Sequence, residues 1–414
     1  MTRGGRRTAA GRSVLTVLTA FGVLAGAALT GAAPAGAAPL ERPGKRIAPG
    51  VTYREFDITA AAGRTRAHLL TVDLGDPHVR TGLLYPGAVA ARATVSRLAD
   101  TAGAVAGVNG DFFDITEAQH PGVEATGATV GPAVADGRVL KAAVPVGQRF
   151  GPALPPGTTT REVLGVGADR RARLDRLSLT GSVTTPRGRF PLGGLNQYAL
   201  PQNSVGAFTS RWGAASRVRA VCGTDTDRAA ACTTDTYEVK VRGGRVADAA
   251  ATPGSGSIPA GTTVLVGREQ GARELRALAV GDAVTVTHHL VAATAKAPYA
   301  FAIGGCPVLR DGRPVSGLDD TVSAVRTAAG FKNGGRRLLL LALDGADDSR
   351  TGLTVAEEAA TMRDLGASDA FNLDGGGSSE MVTRDVGASG VTVRNHPSGG
   401  AERPVPNGIG VFSG

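Results

Sequence analysis

Aromatic side chains are scarce in this 414-residue sequence: they make up 4% of it, with a single tryptophan. Cysteines number three, and no Cys or His pair has the spacing of a zinc site. The formal charge of +9 is spread thinly, without a basic run or interleaved aromatics. That combination argues against a nucleic-acid partner, which would need a concentrated basic footprint and bases stacked on rings. After the amino terminus no apolar run reaches the roughly 18 residues of a membrane span. What is abundant is glycine, 60 residues, which fits many short strands joined by turns. The length suits one large domain or two smaller ones, with ample room for a core.

Residues 1–38 read as an export signal. Arg3, Arg6, Arg7 and Arg12 make a basic start, Val14 to Leu29 an apolar run, and Ala35-Gly36-Ala37-Ala38 a small-residue cleavage region. The Arg6-Arg7 pair is followed by Thr8-Ala9-Ala10, a poor twin-arginine context, so general secretion is the better expectation. Cleavage removes four arginines and no acids and leaves +5. The protein is therefore expected to be secreted, with a mild affinity for anionic wall or exopolysaccharide polymers. In an exported chain Cys222 and Cys232, ten positions apart, are expected to form a disulfide. Cys306, inside an apolar run, reads as a buried thiol.

Residues 39–100 are expected to form a β-rich segment, closing with a helix from Thr94, its N-cap, to Ala102, with Gly103 at its end. A main domain would cover 101–414, with a β-rich section at about 155–295. The fold class expected is α+β or mixed α/β, β-rich with mixed sheets. In the last third, Arg336–Leu343 is apolar on both faces and reads as a central strand. Thr354 and Glu357 form a capping box, Gly366 can end that helix, and Ala370–Leu373 reads as a strand. Strand, helix and strand fit a βαβ unit whose strands end at one rim.

That unit leads into Asn372-Leu373-Asp374-Gly375-Gly376-Gly377-Ser378-Ser379. Three glycines leave no Cβ between backbone and ligand, and their N–H groups can form an anion site. Asp374 and Asp344, which ends the central strand, are the equipment for glycosidic cleavage, one as acid, the other as nucleophile or base. Which does which is open. Arg326 and the glycine amides suit a phosphate. Ser378 and Ser379 are donors to phosphate or sugar. Asn109, Asn372 and Asn407 are candidates to orient the sugar, with Asp111 held at a pocket rim by Phe112 and Phe113. No cofactor is required by this reading. A divalent cation such as calcium on Asp344, Asp347, Asp348 and Asp374 is a second option.

These residues carry a resemblance. Val108–Phe113, Ile303-Gly304-Gly305, Asp311-Gly312-Arg313, Arg326–Gly330, Leu343-Asp344-Gly345, Ser349–Ala367, Asn372–Ser379 and Arg403–Asn407 together resemble the phosphodiester glycosidase family, over roughly residues 100–412. That family includes the catalytic domain of N-acetylglucosamine-1-phosphodiester α-N-acetylglucosaminidase. The resemblance implies hydrolysis of a sugar-1-phosphodiester to sugar and phosphomonoester. It implies a carbohydrate phosphodiester as partner and places Thr327 with the substrate-binding set. Cys306 and Asp111 depart from the family pattern, where smaller residues are usual. Two rival readings are a non-catalytic wall-polysaccharide-binding protein and a metal-dependent phosphodiesterase that cuts the P–O bond.

Overall fold

The protein, seen in a computed structural model, is described for residues 44–345 and 351–414. The export signal, and Asp347 and Asp348 of the cation option, lie outside the described residues. Among the described residues strands dominate, in four sheets, and the expected β-rich character is what forms.

An eight-stranded sheet organises the molecule. Its order is Lys45–Ala48, Val51–Ala60, Gly63–Asp73, Arg337–Leu343, Thr327–Lys332, Asp369–Asn372, Cys306–Arg310 and Arg313–Pro314. The Arg337–Leu343 strand sits in its middle because both faces are apolar and both are covered. Leu338, Leu340 and Ala342 join one core with Leu70, Phe301 and Phe371. Leu339, Leu341 and Leu343 join another with Val355, Ala359 and Met362 of the Val355–Asp364 helix.

That helix begins and ends as its sequence dictates. Thr354 Oγ1 accepts from Glu357 N at 3.1 Å, and Glu357 Oε2 accepts from Thr354 N at 2.9 Å. Glu357 Oε1 also accepts from Ala61 N at 2.7 Å, which ties the helix to the amino-terminal hairpin. At the far end Gly366 takes a left-handed φ of 86°. Its N–H donates to Arg363 O at 2.8 Å and that of Ala367 to Met362 O at 3.0 Å, closing the last orphan carbonyls. The Val95–Ala102 helix likewise starts at Thr94 and stops at Gly103.

The expected βαβ unit is altered. The Arg337–Leu343 and Asp369–Asn372 strands are not neighbours, because Thr327–Lys332 pairs antiparallel with both. The two outer strands therefore run parallel with one strand between them, about 10 Å apart at the usual interstrand spacing. The sheets are also less mixed than expected: among the described residues the only parallel pair is Gly194–Leu195 with Val205–Phe208.

A five-stranded sheet brings Thr392–Val393, Met381–Thr383, Ala106–Asn109, Gly408–Ser413 and Val79–Leu84 together. It carries Asn109 and Asn407 to the end of the large sheet where Asp374 lies. The middle of the chain supplies two more sheets, one of which pairs Thr262–Arg268 with Thr236–Arg242. Cys222 and Cys232 are bonded, and Cys306 is a buried thiol whose pKa burial pushes up to about 12.

Candidate functional site

The triple glycine follows the Asp369–Asn372 strand on the surface. Asp374 and all three glycines are half-buried, while Ser378 and Ser379 are buried. Each glycine has its own reason. A Cβ on Gly375 would lie 2.4 Å from Val325 O. Gly376 has a φ of 60°. A Cβ on Gly377 would lie 2.2 Å from Arg403 Nη2.

The amides of this turn differ from the expected phosphate cradle. Gly375 N donates to Asp374 Oδ1 at 3.0 Å and Gly376 N to Val325 O at 2.8 Å. Among the described residues no acceptor meets the amide of Gly377, the one of the three beside Arg403. The anion seated in the turn is thus the protein's own Asp374 carboxylate. Burial pushes its pKa from 3.8 up to about 6, while hydrogen bonds from Ser378 and Gly375 and the charge of Arg403 pull the other way.

The asparagines expected at the sugar are engaged by the protein instead. Asn109 Nδ2 donates to Asp374 O at 2.6 Å, and its Oδ1 accepts from Thr327 Oγ1 at 2.8 Å and Glu380 N at 3.1 Å. Thr327 Oγ1 also lies 3.0 Å from Ser379 Oγ. Asn407 Oδ1 accepts from Asp111 N at 3.0 Å. With its amide nitrogen turned toward Glu358, Asn372 donates to Glu358 Oε1 and Oε2 at 3.1 Å, on the helix-covered face of the sheet. Alternation along a strand explains Asn372: it shares a face with Ala370, not with Leu373. These side chains hold the loop in place.

Arg326 is also largely committed. Nε donates to Leu353 O and Nη2 to Val322 O, both at 2.9 Å, and the side chain is buried. Near it Glu358 is fully buried, and burial pushes its pKa to about 8. The exposed guanidinium at the turn is Arg403, whose Nη1 lies 3.5 Å from Ser378 Oγ. The sequence pointed to Arg326 because a guanidinium presents a planar fork to phosphate oxygens. Arg403 lay in a proline-rich stretch that gave no sign of folding onto the glycines, although it stood in the family pattern.

Asp344 is buried and belongs to a separate hydrogen-bond system. Its Oδ1 meets His68 Nε2 at 2.9 Å and accepts from His396 N at 2.7 Å. His68 Nδ1 in turn lies 2.8 Å from Tyr53 Oη. The two systems are bridged by the 395–398 segment. Asn395 Nδ2 donates to Leu343 O at 3.1 Å and Ser379 O at 2.9 Å, and Ser398 Oγ to Gly376 O at 3.4 Å. Among the described residues the one group with metal-ligand geometry is His120, Cys222 and Cys232, and its sulfurs are already joined.

Asp111 sits behind Asp374 and is buried with Lys141. Asp111 Oδ2 accepts from Gly131 N at 2.7 Å, and Oδ1 has no partner. Lys141 Nζ donates to Ala142 O at 2.6 Å, to Val130 O at 3.3 Å and to Gly131 O. Burial pushes the Asp111 carboxyl up and the Lys141 amine down, toward a neutral pair. The sequence placed Asp111 at a rim; the structure places it beneath one.

No protein of curated function matches the sequence. Among solved structures the chain is similar to a hypothetical protein from Synechocystis, at 19% identity and a TM-score of 0.65, over 88% of this chain and 62% of that one. It therefore spans under two thirds of that relative's length. It is also similar to a protein of Burkholderia pseudomallei described as exported, at 25% identity and a TM-score of 0.62, over 84% of this chain and 74% of that one. A third is the zebrafish N-acetylglucosamine-1-phosphodiester α-N-acetylglucosaminidase catalytic domain, auto-inhibited by its pro-peptide, at 16% identity and a TM-score of 0.45, over 88% and 84%. The matched sequence region is shorter than the roughly 100–412 expected, and leaves Asn109 and Asp111 outside it. Residues 235–412, which carry Arg326, Asp344, Asp374, the glycine turn and Arg403, match the phosphodiester glycosidase family.

Proposed function

We propose that this protein is a secreted hydrolase that cleaves the glycosidic bond of a sugar-1-phosphodiester, of the N-acetylglucosamine-1-phosphodiester kind. The observation that carries the reading is the placing of the Arg403 charge beside Asp374 at a half-open glycine turn, within the region that matches the family. Arg403 and the Gly377 amide receive the phosphate. The C1–O bond breaks, and its electron pair leaves on a phosphomonoester, whose second pKa near 6 makes it a weak base needing little help from an acid. Asp374 is ionised above about pH 6. It either attacks C1 itself, forming a glycosyl ester that water then hydrolyses at C1, or takes a proton from a water that attacks C1 directly; either way the water oxygen ends on the sugar. Asp344, with His68 and His396, and Arg326, on Leu353 and Val322, hold the walls of the site.

The test is hydrolysis of an N-acetylglucosamine-1-phosphodiester in ¹⁸O-water, with and without chelator. The expected label is in the sugar, at a rate that chelator leaves unchanged. Label in the phosphate would replace this reading with a P–O-cleaving phosphodiesterase.

A further inference from the structure

A second arginine-rich surface runs up to the glycine turn. A cleft of about 960 Å³ is lined by Arg80, Arg92 and Arg97 together with Tyr85 and Phe412. A neighbouring hollow of about 710 Å³ is lined by Arg92 and Arg403, with small residues such as Ala90 and Ala214 between them. Arg92 is common to both. Arg403 in turn touches Ser378 and crowds Gly377. The four guanidiniums therefore form a path that begins in the first cleft and ends beside Asp374.

Two of them are held in place by rings. Arg80 lies 4.0 Å from the centre of the Phe412 ring and Arg92 5.8 Å from that of Phe113. A guanidinium over a ring is held by a cation–π contact that uses no N–H group, so its donors remain for phosphate oxygens. Among the described residues Arg80, Arg92 and Arg97 make no salt bridge to a carboxylate, and Arg403 acts on Asp374 through its charge alone, in a protein where Arg64, Arg66, Arg173, Arg217, Arg273 and Arg276 are all ion-paired. Asp136 is the only carboxylate lining either hollow. The nearby Glu402 accepts from Ser96 Oγ at 2.6 Å. Glu380, whose pKa burial and Glu402 push to about 9, is uncharged at neutral pH.

A single sugar-1-phosphodiester has one phosphate, and Arg403 with Gly377 suffices for it. We infer that Arg97, Arg80 and Arg92 bind further phosphates of a polymeric substrate, a sugar–phosphate chain threaded along both hollows with its terminal sugar-1-phosphodiester at Asp374. This rests on the glycosidase reading for the chemistry at Asp374, but not for the binding along the path.

The experiment compares wild type with the double variant Arg80→Ala/Arg97→Ala. Both residues are exposed and outside the proposed chemistry, so folding should be intact and is checked by thermal melting. Two probes are used: methyl N-acetylglucosamine-1-phosphodiester, and a purified poly(N-acetylglucosamine-1-phosphate) chain. Losing two phosphate contacts should raise KM for the polymer about tenfold and flatten its salt dependence. KM and kcat for the methyl compound should stay within twofold of wild type. Equal effects on both probes, or none on either, would overturn the track. So would binding of single-stranded DNA as tight as the polymer at 150 mM salt, since the surface would then be a general polyanion site. Direct polymer binding, measured by fluorescence anisotropy, separates the two readings. Polymer bound through Arg80 and Arg97 but not cleaved would keep the track and sink the glycosidase.

Discussion

Asp374→Asn should make the protein inactive and, above pH 6, more stable. Burial raises the Asp374 pKa from 3.8 to about 6, so the folded state holds its proton where the unfolded chain has lost it. Between those two values the folded state binds more protons, and stability falls as pH rises. The whole loss, complete above about pH 6, is about 3 kcal/mol at 1.36 kcal/mol for each pH unit between them. Asparagine keeps an oxygen to accept from Gly375 N and from Ser378, but carries no charge to desolvate. For a unit of this size the gain corresponds to about 4 °C in Tm. The assay is a pair of thermal melts, wild type against variant, across pH 4 to 8, with hydrolysis measured on the same samples. The difference in Tm should vanish near pH 4 and reach its full value by pH 7. Activity of the wild type should rise through about pH 6, and that of the variant should be at least a hundredfold lower throughout. A variant that melts at or below the wild type at pH 8, or a gap that is the same at pH 4 and pH 8, would refute the account of a desolvated carboxylate. Activity within tenfold of wild type would refute its role in catalysis.

Arg403→Lys keeps the charge but not the planar fork. It should lower kcat/KM on the phosphodiester by about tenfold or more, with Tm unchanged because the side chain is exposed. Arg326→Lys should do the reverse, lowering Tm by removing the buried bonds to Leu353 O and Val322 O while the folded fraction keeps its KM. Thr354→Ala opens the capping box and should cost about 1 kcal/mol in a denaturant titration.

Local signals in the sequence were read well, because the forces behind them are local. The capping box at Thr354 and Glu357, the stop at Gly366 and the helix from Thr94 each depend on residues a few positions apart. The central strand was legible too, since Leu338 to Leu343 alternate between two cores and leave no polar face. Pairing was not. Nothing in Thr327–Lys332 says that it inserts between two strands that a helix connects, because register is set by partners distant in the chain. The same limit governs the site. Asn109, Asn372 and Asn407 look alike as polar residues in a sugar-binding pattern. Only their surroundings show that their amides serve Asp374 O, Glu358 and the Asp111 amide.

The glycine run shows how one signal can have several structural causes. Three bare residues are needed at the proposed site, yet not because all three amides face a phosphate. Gly375 is required by the backbone: a methyl there meets Val325 O at 2.4 Å, and that carbonyl is fixed by its bond from Gly376 N. Gly375→Ala should therefore displace the turn that holds the Asp374 carboxylate, lowering both Tm and kcat. Gly377 is required by a neighbour that can move. Its Cβ would meet only the tip of Arg403, a flexible and exposed side chain. Gly377→Ala should leave Tm within about 1 °C and raise KM, because the arginine swings away from the phosphate position while Asp374 stays. If the two alanine variants behave alike, Arg403 is not the phosphate ligand, and the proposed division between a turn that holds the Asp374 carboxylate and an arginine that holds the substrate fails.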